Sequence, residues 1–128
     1  MKAEELMIGD WVLYESKPNM ISEISEEIVG EATVCFVGNR YMANIDEVEP
    51  IPLTTEILEK NGFVLRDDEI GWHGVKFEPY FTRDDVPFEI FCDGEPFSIW
   101  FRDPVNIEYI HQLQHVMRLC GITREIII

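Results

Sequence analysis

The chain has 128 residues, of which 25 are Asp or Glu and 10 are Lys or Arg, so its formal net charge at pH 7 is −15. Apolar residues make up 46% of the chain and aromatic residues 12%, which is enough to fill a folded core and excludes an intrinsically disordered chain. The negative charge repels phosphates and anionic lipid headgroups, and this excludes ordinary nucleic-acid binding and binding to a membrane surface.

The sequence also shows no pattern of a targeting signal and no cysteine motif. No apolar run has the length of a signal peptide or of a membrane-spanning helix, so we expect a cytoplasmic protein. The three cysteines, Cys35, Cys92 and Cys120, are odd in number and far apart. This spacing excludes a disulfide framework and a zinc ribbon, and we expect no cofactor.

Residues 9–52 have the pattern of short strands separated by turn residues. We expect strands at residues 11–14, 20–24, 32–37, 40–43 and 48–53, with a turn at residues 16–19. Five short strands with tight connections predict a small SH3-like β-barrel over residues 1–53.

From residue 54 the pattern changes to that of an α+β unit, which we expect to extend to residue 128. Thr54 is a suitable N-cap for a helix that runs through Asn61 and ends at Gly62. Antiparallel strands follow, and a last helix is predicted over residues 107–120 and a closing strand over residues 123–128. The predicted fold class is therefore α+β, with the barrel packed on an antiparallel sheet that the C-terminal helix covers.

A hairpin is predicted over residues 88–101, where two alternating segments flank the turn dipeptide Asp93-Gly94. A two-residue loop pairs Ile90 with Phe97, and this register places apolar side chains on one face of the hairpin. Phe91 and Trp100 lie on the opposite face. We expect either the barrel or a partner protein to cover them, which makes both residues interaction candidates.

Three polar residues of the last predicted helix, Glu108, His111 and His115, fall within an arc of about 60°. Two histidines at positions i and i+4 can bind one metal ion, with the carboxylate as a third ligand. Gln112 stands where a HExxH metalloprotease has its catalytic Glu, so that enzyme class is excluded. The simpler interpretation is a polar face that contacts solvent or a partner through Glu108, Gln112 and His115, with no metal bound.

Three segments carry a resemblance to a known group of proteins: LMIGDWV at residues 6–12, IPLTTEILEKNGF at 51–63 and YIHQLQ at 109–114. In this order they resemble small acidic uncharacterised proteins of gut bacteria and of their phages and mobile elements. The resemblance implies a shared fold and a bacterial or prophage setting. That group has no established activity, so the resemblance carries over no catalytic residue.

The sequence contains no convergent catalytic set, and the phosphate-binding motifs GxxxxGK[ST] and GxGxxG are absent. Our leading hypothesis is a non-enzymatic cytoplasmic interaction module whose partner is another protein. One alternative is an acidic inhibitor that mimics DNA, although its carboxylates are scattered rather than arranged in two rows. A further alternative is a metal-dependent hydrolase that uses Glu108, His111 and His115.

Overall fold

The computed structural model describes residues 2–28, 31–39, 41–67, 79–92, 97–100 and 104–128. The fold is α+β, with two antiparallel sheets and a short C-terminal helix, which confirms the predicted class. The chain divides into two compact units. The first unit comprises Met1–Pro52 and Tyr109–His115, and the second comprises Leu53–Glu108 and Val116–Ile128.

The first unit contains a five-stranded antiparallel sheet in the order β4-β3-β2-β1-β5. Its core is formed by apolar side chains at alternate strand positions, such as Ala32, Val34 and Phe36, because successive residues of a strand point to opposite faces. The strands are β1 (Trp11–Tyr14), β2 (Lys17–Ile28), β3 (Glu31–Phe36), β4 (Met42–Asn44) and β5 (Val48–Pro50).

The turn between β1 and β2 lies at Glu15 and Ser16, both with positive φ (50° and 63°), so the turn predicted at residues 16–19 was wrong. Tyr14 pairs with Lys17 to close this two-residue loop, and Pro18 is the next residue of the strand, opposite Leu13. Antiparallel positions alternate between bonded and non-bonded pairs, so Pro18 falls where its missing N–H costs no ladder hydrogen bond.

Strand β2 has 12 residues and pairs first with β1 and then with β3, with register shifts between Ile21 and Glu23 and between Ser25 and Ile28. Such irregularities bend a strand and increase its twist. No pairing joins β4 to β5 within the residues that the structure describes, so the sheet is open there. Closure into an SH3-like barrel therefore stays a prediction.

The second unit contains helix α1 (Thr55–Lys60) and a five-stranded antiparallel meander. The predicted N-cap is confirmed, because the Thr54 hydroxyl accepts a hydrogen bond from the Ile57 backbone N–H at 3.3 Å. Gly62 has φ 84°, the conformation expected after a helix end. The strands, in the order β10-β9-β8-β7-β6, are β6 (Val64–Arg66), β7 (Tyr80–Thr82), β8 (Ile90–Phe91), β9 (Phe97–Trp100) and β10 (Pro104–Ile107).

Strands β8 and β9 form the predicted antiparallel pair in a different register. Ile90 pairs with Ile99, whereas the sequence pattern pairs it with Phe97. Residues 93–96, which include the predicted Asp93-Gly94 turn, lie outside the described part of the chain. A shift by two residues keeps every side chain on the same face, so Phe88, Ile90 and Ile99 are buried as expected.

Helix α2 (Ile110–Leu119) begins three residues later than predicted, because Ile107 still pairs with Phe97 in the sheet. Its first six residues belong to the first unit and its last four to the second. Residues 122–128 form no strand, which corrects the prediction at 123–128; instead, the backbone of Ile127 bonds to the side chain of Asn61. Neither described α-helix has the length and apolar character needed to cross a membrane.

Candidate functional site

The first unit contains a cavity of about 520 Å³, which we call the histidine cavity. Its volume lies within the range of small-ligand sites, roughly 300–1,000 Å³. Four of its lining residues lie on or just before helix α2, and the other two come from the N-terminal segment and from β5. The lining residues are Glu5, Pro50, Tyr109, His111, Gln112 and His115.

Backbone contacts fix the start of helix α2 beside the end of β5. Pro52 and Tyr109 form an isolated antiparallel bridge, and the Ile110 N–H donates to the Ile51 carbonyl at 2.9 Å. The Gln112 Oε1 accepts a hydrogen bond from the Tyr109 N–H at 3.0 Å, as the fourth residue of a capping box does. The aromatic and amide groups of the cavity wall are thus held by the helix start itself.

Gln114 attaches the same helix to the chain at the start of β1. Its side chain is buried, its Oε1 accepts from the Trp11 N–H at 2.9 Å, and its Nε2 donates to the Gly9 carbonyl at 2.9 Å. An amide that satisfies one backbone donor and one backbone acceptor fixes both position and orientation.

Asp10 is fully buried, and its carboxylate contacts the histidines' helix. Its Oδ2 accepts from the Met7 N–H at 2.8 Å and lies 2.6 Å from the His115 Nε2. A carboxylate only accepts hydrogen bonds, so Nε2 of His115 carries the hydrogen and a neutral His115 has its acceptor at Nδ1. Asp10 therefore sets both the tautomer and the orientation of an imidazole that lines the cavity.

His111 is the second imidazole of the cavity wall, and it is 4% exposed. Its ring stacks on Tyr109, with centroids 5.8 Å apart and planes at 8°, and it meets His115 edge-on at 5.6 Å. Its Nδ1 is buried and has no hydrogen-bond partner among the described residues. Burial lowers the pKa of His111 below the ordinary value of 6.5, and the carboxylates of Asp10 and Glu5 oppose this shift, so the ring is neutral at pH 7.

The structure separates the three residues considered as metal ligands. His111 and His115 line the cavity, whereas Glu108 is exposed, precedes helix α2 and belongs to the second unit. The helical arc of about 60° therefore does not exist, because the chain is still leaving the sheet at Ile107. In the described ranges no three His, Cys, Asp or Glu side chains are placed to hold a metal ion.

The interaction candidates fall in different places. Gln112 and His115 both line the histidine cavity. Phe91 is half-buried, and its ring lies 5.8 Å from that of Tyr80 at 50°. The side chain of Trp100 lies outside what the structure describes.

Sequence reasoning missed Glu5, Pro50, Tyr109 and the supporting Asp10 as site residues. Asp10 carried a usable signal, since it is an acidic residue between the apolar pairs Met7-Ile8 and Trp11-Val12 at a strand start. A buried charge needs a partner, and here the partner is 105 residues away, at a separation that no local pattern covers.

The second unit contains another buried polar cluster, centred on Arg83, which is 7% exposed. Its guanidinium donates to the Asp85 carboxylate through Nε and Nη2 and to the Asn61 carbonyl at 2.9 Å, and it lies 4.8 Å from the centroid of the Phe63 ring. The hydrogen bond from Arg83 lowers the pKa of Asp85 below 3.8. We call this set the arginine cluster.

No protein-family model, curated protein or solved structure matches the chain.

Proposed function

We propose that the protein is a non-enzymatic interaction module that binds another protein through the histidine cavity. The observation that carries this proposal is a cavity of about 520 Å³ lined by His111, a residue whose buried Nδ1 has no described hydrogen-bond partner. An unsatisfied buried polar atom costs about 1–3 kcal/mol, which a hydrogen bond with a bound group would recover. Because a bound group would recover this cost, the unpaired nitrogen favours a binding role.

The rigid support of the cavity wall strengthens this proposal. Asp10 orients His115, and Gln114 fixes helix α2 to the start of β1. A wall already held in place loses little conformational entropy when a partner binds. Much of this support comes from the segments at residues 6–12 and 109–114 and from the start of the segment at 51–63, the three segments that resemble bacterial and phage proteins.

The proposal also includes a cytoplasmic location, a bacterial or prophage setting and a first sheet that completes an SH3-like barrel. Strand β5 returns to pair with β1 at the far edge from β4, and this order is one that an SH3-like barrel requires. The net charge of −15 favours a protein partner over nucleic acid. Phe91 stays a candidate for a second contact.

Selection of a randomised peptide library on the purified full chain tests the module. We expect enriched peptides to lose binding to Tyr109→Leu and to keep it with Tyr41→Leu, a matched change at a tyrosine that is 80% exposed and outside the cavity. Circular dichroism checks that both variants fold. Peptides that bind both variants as tightly as the parent chain, or the absence of any enriched peptide, would contradict the proposal.

The hydrogen bond of 2.6 Å between Asp10 and His115 favours one other function, general-base catalysis. A carboxylate that orients an imidazole and stabilises its protonated form lets the other ring nitrogen take a proton from water. A panel of p-nitrophenyl esters and phosphates distinguishes the two functions. Turnover that falls at least about a hundredfold in His115→Asn supports the enzyme, whereas equal rates for both proteins support the module.

A further inference from the structure

We infer that the group bound in the histidine cavity is the guanidinium of an arginine on the partner protein. This inference rests on the proposed function, because it names the ligand chemistry of that same site. It draws on the charge of the wall, its hydrogen-bond acceptors and its aromatic surface.

The charge around the cavity favours a cation. Glu5 is exposed in the wall, Asp10 lies behind His115, and the described lining residues include no Lys or Arg. The net charge of −15 also attracts a basic partner and speeds its approach. An anionic group would meet Glu5 without a compensating cation in the wall.

The hydrogen-bonding capacity of the wall favours a group that only donates. His111 is neutral, so one of its ring nitrogens is an acceptor, and its buried Nδ1 has no described partner. His115, in its neutral form, has an acceptor at Nδ1, since Nε2 donates to Asp10. A guanidinium has five N–H donors and no acceptor, so it matches the two imidazoles and the Glu5 carboxylate.

The aromatic surface favours arginine over lysine. The rings of Tyr109 and His111 lie within 8° of parallel. A planar guanidinium stacks on flat aromatic surfaces and donates from its edge, whereas an ammonium is a compact, strongly hydrated charge.

The arginine cluster of the second unit shows the same set of partners around an arginine that the chain itself supplies. Arg83 is bound by the Asp85 carboxylate, by the carbonyl acceptor of Asn61 and by the face of Phe63. The histidine cavity offers a carboxylate at Glu5, acceptors at the two imidazoles and an aromatic ring at Tyr109.

NMR titration of the full chain with Nα-acetyl-arginine methylamide tests this inference, with the citrulline and lysine analogues as matched probes. Citrulline keeps the shape of arginine without its charge. We expect the arginine probe to shift the signals of Tyr109, His111 and His115, and to bind about tenfold more tightly than citrulline because hydrogen bonds to a charged group are the stronger ones. The affinity of the lysine probe should lie between those of the arginine and citrulline probes.

A pair of neighbouring variants tests the role of the carboxylate. Glu5→Gln should weaken binding of the arginine probe about three- to fivefold, as expected for the loss of one exposed ion pair. Glu4→Gln, which makes the same charge change at an exposed residue outside the cavity, should leave the affinity unchanged. Equal losses in both variants would point to general charge attraction and would overturn the proposed contact.

The failure of this inference and the failure of the module give different results. If citrulline or inorganic phosphate binds at the cavity as tightly as the arginine probe, the guanidinium inference is overturned and the cavity remains a binding site. The same holds if selected peptides that bind at the cavity lack arginine. If no probe and no selected peptide shifts the cavity signals, both fail.

Discussion

The histidine cavity and the arginine cluster are two sets of buried polar residues that differ in how completely their hydrogen-bonding atoms are paired. In the arginine cluster, Arg83 donates to Asp85 and to the Asn61 carbonyl. The Asn61 amide donates to the Ile57 and Ile127 carbonyls at 2.8 and 2.7 Å and accepts from the Ile127 N–H at 2.6 Å. In the histidine cavity, the Nδ1 of His111 has no described partner.

This difference indicates that the arginine cluster stabilises the fold, whereas the histidine cavity is suited to bind a ligand. The Asn61 amide pairs with Ile127 as a neighbouring strand would, so it replaces the closing strand that the sequence pattern predicts. The cavity wall is also held by hydrogen bonds from Asp10 and Gln114, yet the Nδ1 of His111 has no described partner. A polar network whose hydrogen-bonding atoms are all paired stabilises the fold. A rigid network that leaves one buried atom unpaired favours the binding of a ligand.

The largest effect is expected when the support of the buried Asp10 is removed. His115→Leu leaves a carboxylate of 0% exposure without its imidazole donor, and losing a hydrogen bond to a buried charged group costs about 3 kcal/mol. Urea unfolding should show this loss in the free energy of unfolding. The double variant Asp10→Leu/His115→Leu should recover part of it, because replacing both partners leaves no buried charge. A loss below about 1 kcal/mol in the single variant would contradict the buried pair.

In the second unit, the next largest effect should come from Asn61→Ala. The substitution removes three hydrogen bonds and leaves the Ile127 N–H and carbonyl without this partner, at a cost of about 2 kcal/mol. Hydrogen exchange should show earlier opening of the Ile127 amide than of the Phe81 amide in the sheet. Asn39→Ala, at an exposed asparagine that accepts one backbone hydrogen bond, is the control and should cost well under half as much.

The sequence predicted those parts of the fold that depend on neighbouring residues. The Thr54 cap, the glycine ends of both helices and the core face of Ile90 and Ile99 all follow from local chemistry or from strand alternation. The hairpin register was wrong by two residues, because loop length sets register and alternation cannot distinguish even shifts.

The candidate site was only partly predictable, for a related physical reason. His111 and His115 were identified from helical spacing and Gln112 as a polar residue of the same helix, whereas the helix start was placed too early and Glu108, which precedes the helix, was grouped with them. The bonds that Gln114 and His115 make with the N-terminal segment join residues more than 100 positions apart, such as Gln114 with Trp11. Local periodicity contains no information about such pairs.

A smaller effect of opposite sign is expected for His111→Phe. A phenyl ring keeps the flat shape and removes the unpartnered nitrogen, so the free energy of unfolding at pH 7 should rise by about 1 kcal/mol. The same variant should lose binding of the arginine probe. A destabilisation of 1 kcal/mol or more would show that the His111 nitrogen is satisfied, and the contrast between the two sets would then fail.

The smallest effect is a pH dependence that differs between the two units. Burial lowers the pKa of folded His111 below 6.5, so between the two pKa values the unfolded chain binds more protons than the folded chain. The contribution of His111 to the free energy of unfolding is complete above pH 6.5. It is lost as the pH falls from 6.5 towards the lower pKa of the folded state. The hydrogen bond from Arg83 lowers the pKa of folded Asp85 below 3.8, so its contribution is lost only under more acidic conditions.

Acidification should therefore weaken the first unit before the second. Amide exchange measured from pH 7.5 downwards should show the opening free energy of Val12, in the first unit, falling below pH 6.5 while that of Phe81, in the second, stays level until the pH approaches 3.8. His111→Phe should reduce the slope at Val12, because the variant has no group at that position to protonate, and Asp85→Asn should change only the acidic limb at Phe81. If the slope at Val12 is the same in His111→Phe as in the parent chain, another group causes it, and the burial of His111 is not the source of the difference between the units.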